Sequence, residues 1–259
     1  MKITLFTANQ FRHNYLINLL SSVSKELYVI QENDTLYPGE VQGHYPSSDI
    51  YKNYFSNVLK AQEKLFGKDY ITAKNLKLLS LKEGDINKCS MNFLKDFLKS
   101  DIYIVFGSSY IKSKLIDFLI KNKAINIHMG VSPYYKGTDC NFWSMYDENH
   151  NLTGATIHLI NKKLDSGPIL YHAMSEIFDN SFIYSMSTVK SAVDSLVKRI
   201  SDKSIFKIKP IIQKKSQLIR YSKKIQFTDE IIIKFLSKKF RPQKIDKVKL
   251  INPYILKKI

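Results

Sequence analysis

An α/β fold built on a doubly wound, mostly parallel sheet is the class this sequence predicts, and three observations predict it. Residues 2–7 and 26–31 are short apolar runs on either side of a helical pattern at 12–20, which makes a strand–helix–strand unit. Residues 101–106, Asp-Ile-Tyr-Ile-Val-Phe, have the near-continuous apolar character of a strand buried on both faces. A helical stretch at 112–120 then leads into Ala124-Ile125-Asn126-Ile127-His128, which reads as a further strand.

The elements follow in order. The opening Met-Lys-Ile-Thr-Leu-Phe lacks the long apolar run and small-residue cleavage site of a secretion signal, so it reads as a core strand. Tyr15, Leu16, Leu19 and Leu20 recur at helical spacing. Residues 33–48 are polar and carry Pro38, Gly39, Gly43 and Pro46, a loop composition. Tyr54, Phe55, Val58, Leu59 and Leu65 mark a helix over 51–66, and 74–81 is ambiguous between strand and turn. A helix is expected over 92–98, a strand over 153–161 and a long helix over 176–201. The pattern changes after Ile205. Residues 209–221 alternate loosely around Lys214-Lys215-Ser216, as in a hairpin. A helix is expected from Thr228 to about Phe240, with Thr228 as cap, Asp229 and Glu230 at its positive end and Lys238 and Lys239 at its negative end. The expected organisation is a catalytic domain over 1–205 and a small basic extension over 206–259.

With 259 residues, 44% hydrophobic and 24% charged, the chain has the composition of a globular protein with a sizeable core. No apolar run approaches the roughly 20 residues that span a bilayer. Cys89 and Cys140 form no motif together, which fits reduced thiols in the cytoplasm. The net charge of +17 is concentrated in the tail: residues 207–259 hold 16 Lys/Arg against 3 Asp/Glu. Such a segment attracts phosphates on a nucleotide, a tRNA or an anionic membrane, or is simply a solvated lysine-rich appendage.

Several chemistries are excluded. The first strand is followed by Thr7-Ala8-Asn9-Gln10 rather than a Gly-x-Gly-x-x-Gly dinucleotide turn, and there is no phosphate loop. There is no His-Glu-x-x-His, and the six histidines do not fall at zinc spacing, so no metal is expected. Gly130-Val131-Ser132 begins a nucleophile elbow, but Tyr134 stands where its last glycine belongs. What remains is Asn126, His128 and Asp165. Asn126 and His128 are two apart on a strand and share a face. An amide beside an imidazole can stabilise an oxyanion and exchange a proton, and Asp165 on a neighbouring turn can accept a proton or hold the imidazole cationic. Each of the three also has an ordinary structural role available, as cap, turn or packed residue.

The run Asn-x-His, Ser-Pro-Tyr-Tyr-Lys-Gly, Gly-x-Thr-x-His and Leu-Asp-Ser-Gly-Pro-Ile-Leu, spread over about residues 102–170, resembles the folate-dependent formyltransferases, and most the sugar N-formyltransferases. The resemblance implies a Rossmann-like core, Asn126, His128 and Asp165 as the catalytic set, and 10-formyltetrahydrofolate as formyl donor. It places the donor against Phe106, Gly107, Ser108, Tyr110 and Ile111 and near Gly167. It implies a cytoplasmic enzyme of lipopolysaccharide biosynthesis acting on a nucleotide-linked amino sugar. Tyr134, Tyr135 and Trp143 are candidate contacts to sugar or base, or else packing for a helix starting near Asp139; Lys136 is a candidate phosphate contact or an exposed lysine. Methionyl-tRNA formyltransferase is the alternative activity, although a tail of this length is short for a β-barrel. A formyltransferase-like nucleic-acid binder also stays open, as does a homodimer paired through the 209–221 hairpin. The sequence departs from the family where the first strand ends, and at Val131-Ser132-Pro133.

Overall fold

Lys2–Ala8 forms the first strand, β1, because its side chains are apolar on both faces: Ile3 and Leu5 enter one core layer and Phe6 the opposite one. The computed structural model describes residues 1–33, 48–68, 70–241 and 243–257. The loop expected over 33–48 lies almost entirely outside the described residues. After β1 come α1 (Phe11–Val23), β2 (Glu26–Asn33), α2 (Asp49–Phe66), β3 (Leu76–Lys82), β4 (Ile102–Phe106), α3 (Ser113–Lys121) and β5 (Ile125–His128). They are followed by β6 (Tyr135–Gly137), α4 (Cys140–Tyr146), β7 (Ala155–Leu159), β8 (Ile169–Ser175), α5 (Ser181–Ser201), β9 (Arg220–Ser222), α6 (Asp229–Ser237) and β10 (Tyr254–Leu256).

The main sheet has eight strands in the order β10-β8-β7-β5-β4-β1-β2-β3. Strands β3, β2, β1, β4 and β5 run parallel, β7 pairs antiparallel with β5 and β8, and β10 lies parallel to β8. The winding reverses between β1 and β4, so a crevice opens beyond their carboxyl ends, where open α/β sheets bind ligands. Helices α1 and α5 cover one face through Leu16, Leu20, Val189 and Val193. Leu115 and Leu119 of α3 cover the other with Leu94 and Leu98. A third cluster, rich in aromatic rings, joins α2, α4 and α6 around Tyr54, Phe142 and Phe235. Side chains set several boundaries: Ser48 Oγ accepts Tyr51 N–H at the start of α2, and Asn180 accepts Phe182 N–H and Ile183 N–H at the start of α5. Among the described residues, no helix is long and apolar enough to cross a membrane.

Four local expectations are corrected. Residues 91–98 form successive turns rather than a helix. Their bonds run mostly to the third residue back, as in Phe97 N–H to Leu94 O, and Tyr103 Oη donates to the Leu98 carbonyl, which closes the segment. The long helix starts at Ser181, where Asn180 caps it, and residues 176–180 connect it to β8. Thr228 makes no side-chain cap to α6; instead Ser48 Oγ donates to Asp229.

The hairpin over 209–221 does not form, and with it goes the expected route to a dimer. Ile211 exchanges both backbone bonds with Ile169, residues 215–217 make a short helical turn, and Arg220–Ser222 pairs parallel to Tyr135–Gly137. The strand edges that a hairpin would use on itself are spent on the body of the protein. Residues beyond 206 thus return to it four times, through Ile211, β9, α6 and β10.

Candidate active site

β5 ends at the carboxyl edge of the sheet and delivers Asn126 and His128 to the crevice. His128 is 6% exposed; its Nδ1 lies 3.3 Å from Asp165 Oδ1 and its Nε2 lies 3.1 Å from the carbonyl of Tyr135. Both partners are acceptors, a pattern that only the doubly protonated ring satisfies in full. Asp165, 7% exposed, also accepts Gly137 N–H at 3.1 Å through Oδ2. Its φ of 49° is left-handed, so the turn that carries it is strained. Gly167 lets that turn close: a Cβ there would stand 1.7 Å from the Leu159 carbonyl. Gly130 is needed likewise, since its Cβ would lie 2.6 Å from His128 Nε2.

Asn126 is held by a histidine. Its Nδ2 lies 3.0 Å from His158 Nε2, while His158 Nδ1 lies 2.8 Å from the Leu159 carbonyl. The carbonyl must receive a proton, which fixes the tautomer and leaves Nε2 as the acceptor for the Asn126 amide. Burial holds His158 neutral by lowering its pKa well below the ordinary histidine range. The other Nδ2 proton of Asn126 stays free of this bond.

Two cavities meet at this wall. The larger, about 500 Å³, runs from Val105–Ile111 past Asn126 and His128 to the Asp165 turn. Its apolar sides, among them Phe106, Ile111 and Ile116, with polar Ser108 and Asn126, suit a flat heteroaromatic ring. The smaller, about 240 Å³, is lined by Tyr54, Phe55, Gln62, Phe142 and Met186. Arg12, His128, Met129, Gly137 and Asp139 face both. Asp139 is exposed and faces both cavities. Loss of solvation raises its pKa above the ordinary carboxyl range, against the lowering effects of Thr138, Lys224 and Arg12.

The structure brings Asn126, His128 and Asp165 together. It places Phe106, Gly107, Ser108, Tyr110 and Ile111 on the wall of the larger cavity. Gly167 lies behind that wall, against Leu159. Tyr134, Tyr135, Lys136 and Trp143 line neither cavity. They are buried side chains beneath the loop: the Tyr135 hydroxyl contacts Asp147 and Asn149, and Arg220 stacks on Trp143. Tyr135 reaches the site through its carbonyl alone.

Sequence reasoning missed Arg12, His13, Tyr54, Asp139 and Glu32. The first two follow β1 at the point where the winding reverses, the one signal that could have marked them. Glu32, 2% exposed, is the penultimate residue of β2 and holds the Ser109 loop through its carboxylate. Among the described residues, no cluster of three His, Cys, Asp or Glu side chains could hold a metal ion.

The formyl transferase family model matches residues 60–200. Methionyl-tRNA formyltransferase of Trichodesmium erythraeum (strain IMS101) is 28% identical over 167 residues, which is 62% of this chain and 48% of that protein. The chain spans about half the length of the curated relatives it matches. The fold is similar to that of a sugar N-formyltransferase from Shewanella sp FDAARGOS_354, with TM-score 0.56 and 17% identity over 92% of this chain and 88% of that one. It is also similar to the formyltransferase PseJ from Anoxybacillus kamchatkensis, in complex with UDP-4,6-dideoxy-4-formamido-L-AltNAc and tetrahydrofolate, with TM-score 0.53 and 19% identity over 93% and 94%.

Proposed function

Because the chain belongs to the formyl transferase family, we propose that it transfers the formyl group of 10-formyltetrahydrofolate to the primary amine of a nucleotide-linked amino sugar. One observation carries this reading: two cavities of unequal size share a wall that bears His128 and Asp139, with Asn126 and Asp165 beside it. The larger cavity is the donor side, where Phe106 to Ile111 would hold the folate ring. The smaller is the acceptor side, where the rings of Tyr54, Phe55 and Phe142 offer rigid apolar walls to a sugar. The Anoxybacillus protein holds a formamido sugar nucleotide and a folate in the same fold, which supports the pairing. The same reading sets the enzyme in the cytoplasm, in lipopolysaccharide biosynthesis.

The bound donor supplies an electrophilic one-carbon unit. Around it, the second Nδ2 proton of Asn126 and the cationic His128 stabilise the oxyanion, and Asp165 holds the His128 ring in place. Asp139 receives the acceptor as an ammonium ion and takes its first proton, a task that its raised pKa suits. The nitrogen then has a lone pair with which to attack. The nitrogen bonds the formyl carbon and passes its second proton to Asp165, while His128 gives a proton to the folate nitrogen as the bond between that nitrogen and the formyl carbon breaks.

The similarity to methionyl-tRNA formyltransferases favours a second reading, with methionyl-tRNA as acceptor and the basic tail as its electrostatic footing. One experiment decides. The protein is incubated with 10-formyltetrahydrofolate and either a panel of amino-sugar nucleotides or methionyl-tRNA, and products are weighed by mass spectrometry. A formyl gain on an amino sugar supports the first reading, and a gain on the tRNA alone supports the second. If no amine gains a formyl group, both fail.

A further inference from the structure

Asp165 occupies a left-handed backbone conformation, yet its carboxylate must stay within reach of His128. The support comes from the tail. Gln213 Nε2 donates to the Asp165 carbonyl at 3.0 Å and to the Gly167 carbonyl at 2.7 Å. Gln213 lies beyond the segment that the family model matches. The paired backbone bonds between Ile211 and Ile169 set it over the turn.

The amide orientation is forced. With nitrogen and oxygen exchanged, Oε1 would face two carbonyl oxygens. The Oε1 atom is itself buried and has no hydrogen-bond partner. A polar atom left so is unfavourable, and the donor half of the amide is what offsets it.

We propose that Gln213 is a positioning residue for the formyl transfer: its amide clamps the Asp165–Gly167 turn and so keeps Asp165 in register with His128. This rests on the functional reading above for its kinetic consequence, but not for its structural one. The residue touches neither cavity, so it acts through Asp165 and not on a substrate.

Two variants test it. Gln213→Met keeps the length and removes the donor. Gln213→Glu keeps the shape and turns an acceptor toward two carbonyls. Two measurements are made on each: steady-state kinetics with the acceptor found by the screen, and the low-field proton resonance of His128 Nδ1–H in the resting protein, assigned by its loss in His128→Asn. In both variants the resonance should shift or broaden and kcat should fall between about 10- and 100-fold, as expected for misplaced catalytic groups. KM for donor and acceptor should stay within about twofold. Thermal melting is followed alongside. An unmoved resonance with kcat within about twofold of wild type overturns the proposal. So does a kinetic loss that appears only in step with a collapse in melting temperature, since that marks packing alone. The resonance needs no turnover. If the wild-type protein transfers no formyl group, the functional reading fails, and the clamp is judged on the resonance.

Discussion

Glu32 Oε2 accepts the backbone N–H of Ser109 at 2.7 Å, across the carboxyl ends of β2 and β4. Its Oε1 accepts Gly84 N–H, Ile86 N–H and Ser109 Oγ–H. One buried carboxylate thus fixes the loop that forms the wall of the larger cavity. Glu32→Ala leaves these donors without their partner, at about 1–3 kcal/mol for each group that stays dry. The urea midpoint should fall, and KM for the formyl donor should rise about tenfold while kcat changes less. A donor KM equal to that of the wild type would remove Glu32 from any role in the site.

Asn126→Ala, His128→Ala and Asp165→Ala should each lower kcat by on the order of 100-fold or more. Circular dichroism should report an unchanged fold, because all three line the larger cavity rather than a hydrophobic core. Near-normal turnover in any one of them contradicts the assignment. His158→Phe should act through Asn126: in an Asn126→Ala background its own effect should largely disappear.

Asp139→Asn keeps the shape and loses the charge. It should lower kcat/KM for the acceptor amine by roughly 10- to 100-fold, while KM for the donor stays put. Raising the pH, which deprotonates the amine in solution, should restore part of the loss. A variant equally impaired at all pH values would show that Asp139 does not receive the ammonium.

Gly137 has φ 94°, and a Cβ on it would stand 2.0 Å from the Ser222 carbonyl. Gly137→Ala should therefore push β9 away from β6 and disturb the Gly137 N–H that Asp165 accepts. We expect a lower melting temperature together with a loss of kcat. A fully active, equally stable variant would mean that the strand pair is dispensable.

His172 is fully buried. Its Nε2 donates to the Ser132 carbonyl, and its Nδ1 accepts Ile251 N–H. Burial lowers its pKa from 6.5 to about 4. Between those values the unfolded chain binds a proton that the folded one does not, so this contribution is fully present above about pH 6.5 and is lost as the pH falls toward 4. Its size is about 3 kcal/mol. Urea unfolding at pH 7 and pH 4 measures it, and His172→Gln should show a flatter pH profile. An unchanged profile in that variant would assign the acid sensitivity elsewhere.

The strands of the parallel core were legible because apolar runs of that length have few alternatives. Asn126 and His128 were legible because two positions on one strand share a face. Asp165 needed the motif around it. The smaller cavity was not legible, since Arg12, Tyr54, Asp139 and Met186 come from four elements that only the fold brings together. Tyr134 and Trp143 misled for a related reason: an aromatic ring beside a catalytic strand looks the same in sequence whether it lines a cleft or packs beneath one. The tail misled through its lysines, which mask how much of its backbone is committed to strand pairing.

That commitment has a consequence for the order of folding. Ser222 Oγ donates to Lys136 O, and Gln213 to Asp165 O, across 86 and 48 positions of chain. Closing such loops costs entropy before any contact offsets it. The β1–β2 and β7–β8 pairs form from shorter-range contacts, whereas β1 meets β4 across 99 positions. The Asp165 turn is clamped only when the tail docks, so its final geometry should follow the pairing of β7 and β8, the two strands that flank it.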